Sequence, residues 1–125
     1  MKLNPDCCRA IMLAVEEKPY GMIYTLGQLF DKTSSYPHED IAYSCLKLHE
    51  GGYLDVTTAS PLLGSHSRQI VAINDLTYAG HEFLENVRDD GIWKEAKSKS
   101  ASVGSFALSV LSKVAAYVIA NKISY

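Results

Sequence analysis

Apolar residues recur at helical spacing over the first fifty positions and predict three helices there. The first begins at Asn4-Pro5-Asp6, because asparagine caps a helix, proline suits its first position and aspartate complements its dipole. It should end near Lys18-Pro19, and a brief second helix is expected at about 26–32. The third helix should run from roughly His38 to Glu50, where Gly51-Gly52 ends it. Its polar residues are expected to face solvent: Glu39, Asp40, Tyr43, Ser44 and Lys47.

Alternating apolar and polar residues then predict a β-hairpin. Its strands should lie near Leu54–Thr57 and Arg68–Ile73, joined by a loop rich in Ser, Gly and Pro. A further short strand is predicted at Ile23-Tyr24-Thr25, between the first two helices. We expect the hairpin to pack against helices whose buried side chains include Ile11, Val15, Leu29, Ile41, Cys45, Leu48 and Phe83.

The chain after the hairpin predicts more helix. Thr77 is placed to cap a fourth helix, and Gly91 lies where a left-handed residue would end it. Residues 98–102 are small and polar and predict a linker, and Val103 to Lys122 predicts a last helix. One face of that helix carries an apolar stripe. The stripe residues that we predict to form an oligomer interface are Phe106, Val110, Leu111, Val114 and Val118. The stripe must be covered by its own domain, by a second copy of the chain or by another protein.

A motif after the second strand predicts the type of fold. The β-branched run Gln69-Ile70-Val71-Ala72-Ile73 leads directly into Leu76-Thr77-Tyr78-Ala79-Gly80-His81-Glu82-Phe83-Leu84. On this pattern, Leu-Thr-x-x-Gly-x-x-Phe-Leu, the chain resembles small winged-helix domains at the point where they leave their hairpin. The order helix, short strand, helix, helix, hairpin agrees. We therefore predict an α+β fold, a winged helix-turn-helix-like domain over residues 1–92 with a C-terminal helical extension over residues 93–125.

A second resemblance, to another group of proteins, covers nearly the whole chain. The segments that match are Met1 to Arg9, Gly51 to Leu54, Leu76 to Asp90, Trp93-Lys94 and the last helix. On these residues the chain resembles a family of small bacterial and phage proteins catalogued as a domain of unknown function. The resemblance implies a prophage or mobile-element setting, and it implies no activity.

The charge balance and the cysteines narrow the function classes. The net charge is −2, and residues 1–75 carry six Lys and Arg against nine Asp and Glu. Phosphate neutralisation supplies most of the affinity of a nucleic-acid binder, so this balance counts against DNA binding. Cys7, Cys8 and Cys45 make an odd number, and the first residues contain no apolar signal segment. We expect reduced thiols and a cytoplasmic protein, with no membrane span because polar residues interrupt the last apolar stretch.

The sequence gives little support for a catalytic site or a metal site. His81 and Glu85 could share a helix face, but a tight metal site needs three or four ligands, and no His-Glu-x-x-His or paired cysteine spacing occurs. Gly64-Ser65-His66 suggests a nucleophile beside a base, yet neighbours in sequence rarely face each other and no acid partner is indicated. We expect a polar wing tip there, with no enzyme activity, no metal and no cofactor.

Two function classes remain. The first is a small phage or prophage regulator that binds double-stranded DNA as a homodimer, since winged-helix regulators place the helix before the hairpin in the major groove. The residues predicted to contact DNA are Ser35, Tyr36, His38, Tyr43, Lys47, His66 and Arg68. The alternative is an accessory protein that binds a host or phage protein without contacting DNA. The carboxylates of Glu39 and Asp40, where DNA readers carry Arg, Lys, Asn or Gln, favour this alternative.

Overall fold

The computed structural model describes residues 1–123, which form six helices and one two-stranded antiparallel sheet. The elements in chain order are α1 (Pro5–Glu16), α2 (Leu26–Lys32), α3 (His38–Glu50), β1 (Leu54–Ala59), β2 (Gln69–Leu76), α4 (Tyr78–Val87), α5 (Asp90–Ser102) and α6 (Leu108–Lys122). The predicted α+β class is confirmed. The chain divides into two compact units, Met1–His81 and Glu82–Tyr125. Residues 124 and 125, the end of the predicted extension, lie outside the described residues.

Local sequence signals set the first helices of the first unit. The Asn4 side-chain oxygen accepts hydrogen bonds from the backbone N–H groups of Asp6 (2.9 Å) and Cys7 (3.3 Å), as predicted for the cap of α1. At α2, Thr25 and Gln28 form a reciprocal capping box, in which each side chain accepts from the other's backbone N–H. Both helices therefore begin where the sequence places them.

The predicted hairpin is confirmed, and its strands are longer than expected. β1 and β2 pair from Leu54 opposite Leu76 to Ala59 opposite Gln69, with two irregularities of register between these ends. The predicted strand at residues 23–25 is reduced to one bridge, in which Tyr24 and Ile73 exchange both backbone hydrogen bonds (2.9 and 2.8 Å). It stops there because Thr25 already caps α2.

The core of the first unit lies between α1, α2, α3 and the hairpin, which contact one another. The side chains of this unit that we predict as core are buried, including Ile11, Leu29 and Ile41, and predicted Phe83 is buried in the second unit. Ser44 is a correction: predicted to face solvent, it is 1% exposed. Its hydroxyl shares hydrogen bonds with the thiols of Cys7 and Cys8, so a small polar residue is satisfied inside the contact between α1 and α3.

The three cysteines are free and buried. Burial raises the pKa of Cys8 and that of Cys45 to about 12, and it also raises the pKa of Cys7. Because the thiolate is the reactive form, these cysteines are unreactive structural residues in the folded protein.

We expect the free energy of unfolding to fall as the pH rises above 9. An unfolded cysteine loses its proton near its ordinary pKa of 9.0, whereas folded Cys8 and Cys45 hold theirs to about 12. Stability is therefore complete below pH 9 and is lost between pH 9 and 12, by about 1.4 kcal/mol per pH unit for each thiol. Urea unfolding at pH 8, 9 and 10 measures this loss. Cys45→Ala should show a shallower pH dependence, and an equal slope in both proteins would contradict the explanation.

The Leu-Thr-x-x-Gly motif joins the start of α4 to the turn between α3 and β1. Thr77 caps α4 as predicted, since its hydroxyl oxygen accepts from the Gly80 N–H (3.1 Å) while its hydroxyl donates to the Gly52 carbonyl. The Thr77 N–H donates to the Tyr53 carbonyl (3.1 Å). A Cβ at Gly80 would lie 2.3 Å from that same Tyr53 oxygen. The motif thus serves the architecture of the first unit.

In the second unit, the predicted end of α4 at Gly91 is wrong. α4 ends at Val87, and the Asp89 carboxylate accepts from the Ile92 N–H (2.9 Å) and caps α5. Gly91 therefore lies in the first turn of α5 instead of ending α4. The reason is local, since Asp89 supplies a cap and Asp90 an acidic first turn directly after α4.

The predicted linker at residues 98–102 is also wrong, because α5 continues through it to Ser102. The chain turns at Gly104, whose φ is 74°. Its N–H donates to the Ala101 carbonyl (3.1 Å), and the Ser105 N–H donates to the Ser100 carbonyl (3.2 Å), which is a Schellman ending. α6 consequently begins at Leu108 instead of Val103.

α6 packs against α5 within the second unit. Of the predicted stripe, Leu111 and Val118 are buried, Val110 and Val114 are half-buried, and Phe106 precedes the helix and is 49% exposed. The helices run in opposite directions, since the Lys122 ammonium near the end of α6 lies 4.0 Å from the Glu95 carboxylate near the start of α5. Within residues 1–123, no helix combines the length and the apolar character needed to cross a membrane.

Candidate functional site

A groove runs along the outward side of α3, between this helix and the start of β2. Its volume is about 490 Å³, and its lining residues are Met1, Leu26, Glu39, Ala42, Tyr43, Leu46, Ser67, Arg68, Gln69 and Ile70. A second depression of about 230 Å³ shares Tyr43, Leu46, Ser67 and Arg68 with it and reaches the end of α3. The two form one continuous surface, which we call the α3–hairpin groove.

The floor of the groove is apolar. Ala42 and Leu46 project from α3 and are half-buried, and Leu26 and Ile70 add aliphatic side chains from α2 and β2. None of the sequence patterns above predicts this surface. The available signal was the width of the apolar arc on α3, which is broader than one core-facing side of a helix requires.

The charged groups around the groove are largely compensated. The Lys47 ammonium lies 3.0 Å from the Glu50 carboxylate, and this hydrogen bond raises the pKa of Lys47. Lys47 also lies over the Tyr43 ring, 5.5 Å from its centroid. The Arg68 Nε donates to the Thr58 hydroxyl (2.8 Å), and Glu39 adds a second carboxylate to the lining. Two cationic and two anionic side chains therefore line the groove, so these four side chains add no net positive charge to it.

His49 connects the end of α3 to β1 beneath the second depression. Its Nδ1 lies 3.3 Å from the Val56 backbone nitrogen and 3.1 Å from the Leu54 carbonyl oxygen. A ring with its proton on Nε2 accepts from Val56, whereas a ring protonated at Nδ1 donates to Leu54. In either form the ring links the end of α3 to β1.

The structure brings four of the seven predicted DNA-contacting residues together: Tyr43, Lys47, His66 and Arg68 all line the groove. The other three lie outside its lining. Ser35 is exposed in the turn after α2, and His38 stacks on Phe30 with the ring centroids 3.8 Å apart. Tyr36 is half-buried, and burial followed by the charge of Asp6 raises its pKa.

The hairpin tip carries two exposed leucines beside the exposed polar residues that the sequence predicts there. The Ser65 N–H donates to the Leu62 carbonyl (2.9 Å), and Gly64 has a φ of 84°. This turn leaves Leu62 65% exposed and Leu63 fully exposed. The pair Leu62-Leu63 is visible in the sequence, but its exposure is decided by the turn.

Residues 1–123 contain no group of three or more His, Cys, Asp or Glu side chains placed to hold a metal ion. Of the side chains considered for such a site, Glu85 pairs with Arg88 (2.9 Å) and His49 serves the hairpin as described.

Comparison with known proteins gives a family but no activity. A family model described as "Hypothetical protein (DUF2513)" matches residues 2–106. A protein from Haemophilus influenzae, described as an uncharacterized protein, is 28% identical over 127 residues, which cover 99% of this chain and 100% of that protein. No solved structure matches the chain.

Proposed function

We propose that this protein, which belongs to the DUF2513 family, is an interaction module that binds a segment of a partner protein in the α3–hairpin groove. The observation that carries the proposal is the apolar floor formed by Ala42, Leu46 and Ile70 on the outward side of α3. An aliphatic or aromatic side chain of a bound segment would be removed from water there, which is a favourable contribution to binding.

We also infer a winged-helix architecture for the first unit. Its support is the order α1, α2, α3, hairpin, together with the Tyr24 bridge, which stands where a third short strand would pair with β2. In this arrangement α3 and the hairpin loop would be the parts of the domain that meet a partner. The partner segment would therefore bind at α3 and the hairpin loop, where DNA binds in winged-helix regulators.

The charges make DNA the weaker ligand for this surface. Backbone phosphates beside α3 would meet Glu39 and Glu50, and the cation of Lys47 is already paired. A protein segment does not require a positive surface. The prophage setting implied by the sequence resemblance, with a host or phage protein as the partner in the cytoplasm, fits this choice.

A DNA-linked regulator is the second candidate function, and one observation favours it. Tyr43, Lys47, His66 and Arg68 converge on a single surface although they come from two distant segments of the chain. If this surface bound duplex DNA, Lys47 and Arg68 would make the main phosphate contacts, and the salt dependence would be shallow because so few phosphates are neutralised.

One pair of binding assays distinguishes the two functions. Selection of displayed peptides on the full chain should yield sequences with aliphatic or aromatic anchors that bind the parent and fail to bind Ala42→Glu. Ser34→Glu, which adds the same charge at an exposed turn outside the groove, should bind them normally. A gel shift with the protein's own upstream DNA at low and moderate salt should show no complex. A complex that Lys47→Glu and Arg68→Glu abolish would instead support the regulator.

A further inference from the structure

The hairpin tip presents two leucines that the first unit does not cover. Leu63 is fully exposed and Leu62 is 65% exposed. They are held in a defined turn by the Ser65 to Leu62 hydrogen bond (2.9 Å) and by the positive φ of Gly64. A hydrophobic pair fixed at the end of a projecting hairpin is suited to insertion into an apolar cleft, because little conformational freedom is lost on binding.

The same chain also has an apolar cleft that could receive such a pair of leucines. The α3–hairpin groove has an aliphatic floor and a volume of about 490 Å³, and its wall includes Ser67 and Arg68, directly after the tip in sequence. Tip and groove therefore lie close together on one surface. A two-fold axis beside this surface would bring the tip of each copy to the groove of the other, which is the reciprocal contact that a symmetric dimer requires.

The charges permit this pairing. Residues 59–67 contain no Asp, Glu, Lys or Arg, so an inserted tip buries no formal charge of those residues. In the groove, Lys47 already pairs with Glu50, and Arg68 donates to Thr58. The Lys47 charge therefore has a counterion within its own chain, and the Arg68 side chain has a hydrogen-bond partner there.

We propose that a second copy of this chain occupies the groove, with Leu62 and Leu63 of each copy inserted against Ala42, Leu46 and Ile70 of the other. The resulting dimer closes the groove. Dimerisation would regulate partner binding, because a partner segment must displace the tip before it binds. This regulatory role rests on the proposed function. The pairing itself does not rest on it and is tested separately.

The direct test is intermolecular paramagnetic broadening. The three native cysteines are buried with raised pKa values, so Ser60→Cys, beside the tip, can be spin-labelled selectively in the full chain. Mixed with an unlabelled, isotope-enriched parent chain, it should broaden the amides of Ala42, Leu46 and Ile70 in that chain. Glu17→Cys, at the exposed end of α1 in the same unit and outside the groove lining, is the control label and should broaden those amides much less. Absence of broadening, or broadening centred on α6, would overturn the proposal.

Sedimentation of charged variants supplies a second test. Leu63→Glu and Ala42→Glu should each weaken the dimer by roughly tenfold or more, whereas Ser34→Glu should not. An equimolar mixture of Leu63→Glu and Ala42→Glu should regain affinity, because an intact tip from one chain meets an intact groove in the other. Equal self-association of all these proteins would contradict the proposal.

Peptide binding then separates this proposal from the proposed function. Leu63→Glu leaves the groove intact, so it should bind the selected peptides at least as tightly as the parent. Peptide binding without any tip-dependent dimer would overturn the pairing and keep the function. A tip-dependent dimer that binds no peptide would keep the pairing and overturn the function.

Discussion

Replacing Gly80 with alanine is expected to destabilise the first unit by about 3 kcal/mol or more, at the upper end of the range for an overpacked site. The added Cβ would lie 2.3 Å from the Tyr53 carbonyl oxygen and 3.3 Å from a Leu76 methyl carbon. The oxygen belongs to the backbone and already accepts the Thr77 N–H, so it cannot move without breaking the turn after α3. The loss should therefore be large although only one methyl group is added.

Hydrogen exchange of amides in α1 and α3 measures this effect within the first unit. Gly27→Ala is the matched control, because a Cβ at this exposed helical position meets only the Thr25 hydroxyl at 3.9 Å. That variant should be stabilised by about 0.4–1 kcal/mol. If both variants had the same stability as the parent, the close approach at Gly80 would be refuted.

Replacing Phe83 with alanine is expected to cost the second unit about 3–5 kcal/mol, the usual range for a buried aromatic ring. Phe83 is 2% exposed, and its ring meets the Trp93 ring edge to face with the centroids 6.3 Å apart. Alanine would remove this contact and leave a cavity beside the tryptophan. Because unfolding of a domain is cooperative, such a loss should also shift the melting of α5 and α6.

The single tryptophan of the chain makes this measurement direct. Trp93 is buried in the second unit, so its fluorescence reports unfolding of that unit in a urea titration. Tyr117→Ala, which removes an aromatic ring that is 62% exposed on α6, should change stability by less than about 0.5 kcal/mol. A loss below about 1 kcal/mol for Phe83→Ala would show that the ring is not part of the core.

The candidate groove is built from α3 and the hairpin and contains no residue of the Leu-Thr-x-x-Gly motif. The Leu-Thr-x-x-Gly motif predicts a winged-helix-like fold. Its Thr77 and Gly80 contact Gly52-Tyr53 and so attach the start of α4 to the turn after α3. The candidate surface is the outward side of α3, where Leu46 contributes to an apolar floor. We therefore rank binding of a protein segment above binding of DNA.

Sequence alone determined the features that depend on neighbours along the chain. Asn4 and Thr77 cap their helices through backbone groups two or three residues away, so residue type and position suffice to predict them. The alternation in β1 likewise predicts Leu54 and Val56 as buried, because successive side chains of a strand face opposite sides. The α+β class follows from the order of these local elements.

Tertiary structure decided the features that depend on distant segments. Ser44 is buried because the thiols of α1 satisfy its hydroxyl, and Leu46 lines a groove because β2 returns beside α3 without covering it. The apolar stripe of α6 predicted a covered face, but its division between buried Leu111 and exposed Phe106 follows from where Gly104 turns the chain onto α5. A periodic pattern states that a side chain is apolar or polar, whereas its burial depends on which distant backbone segments pack against it.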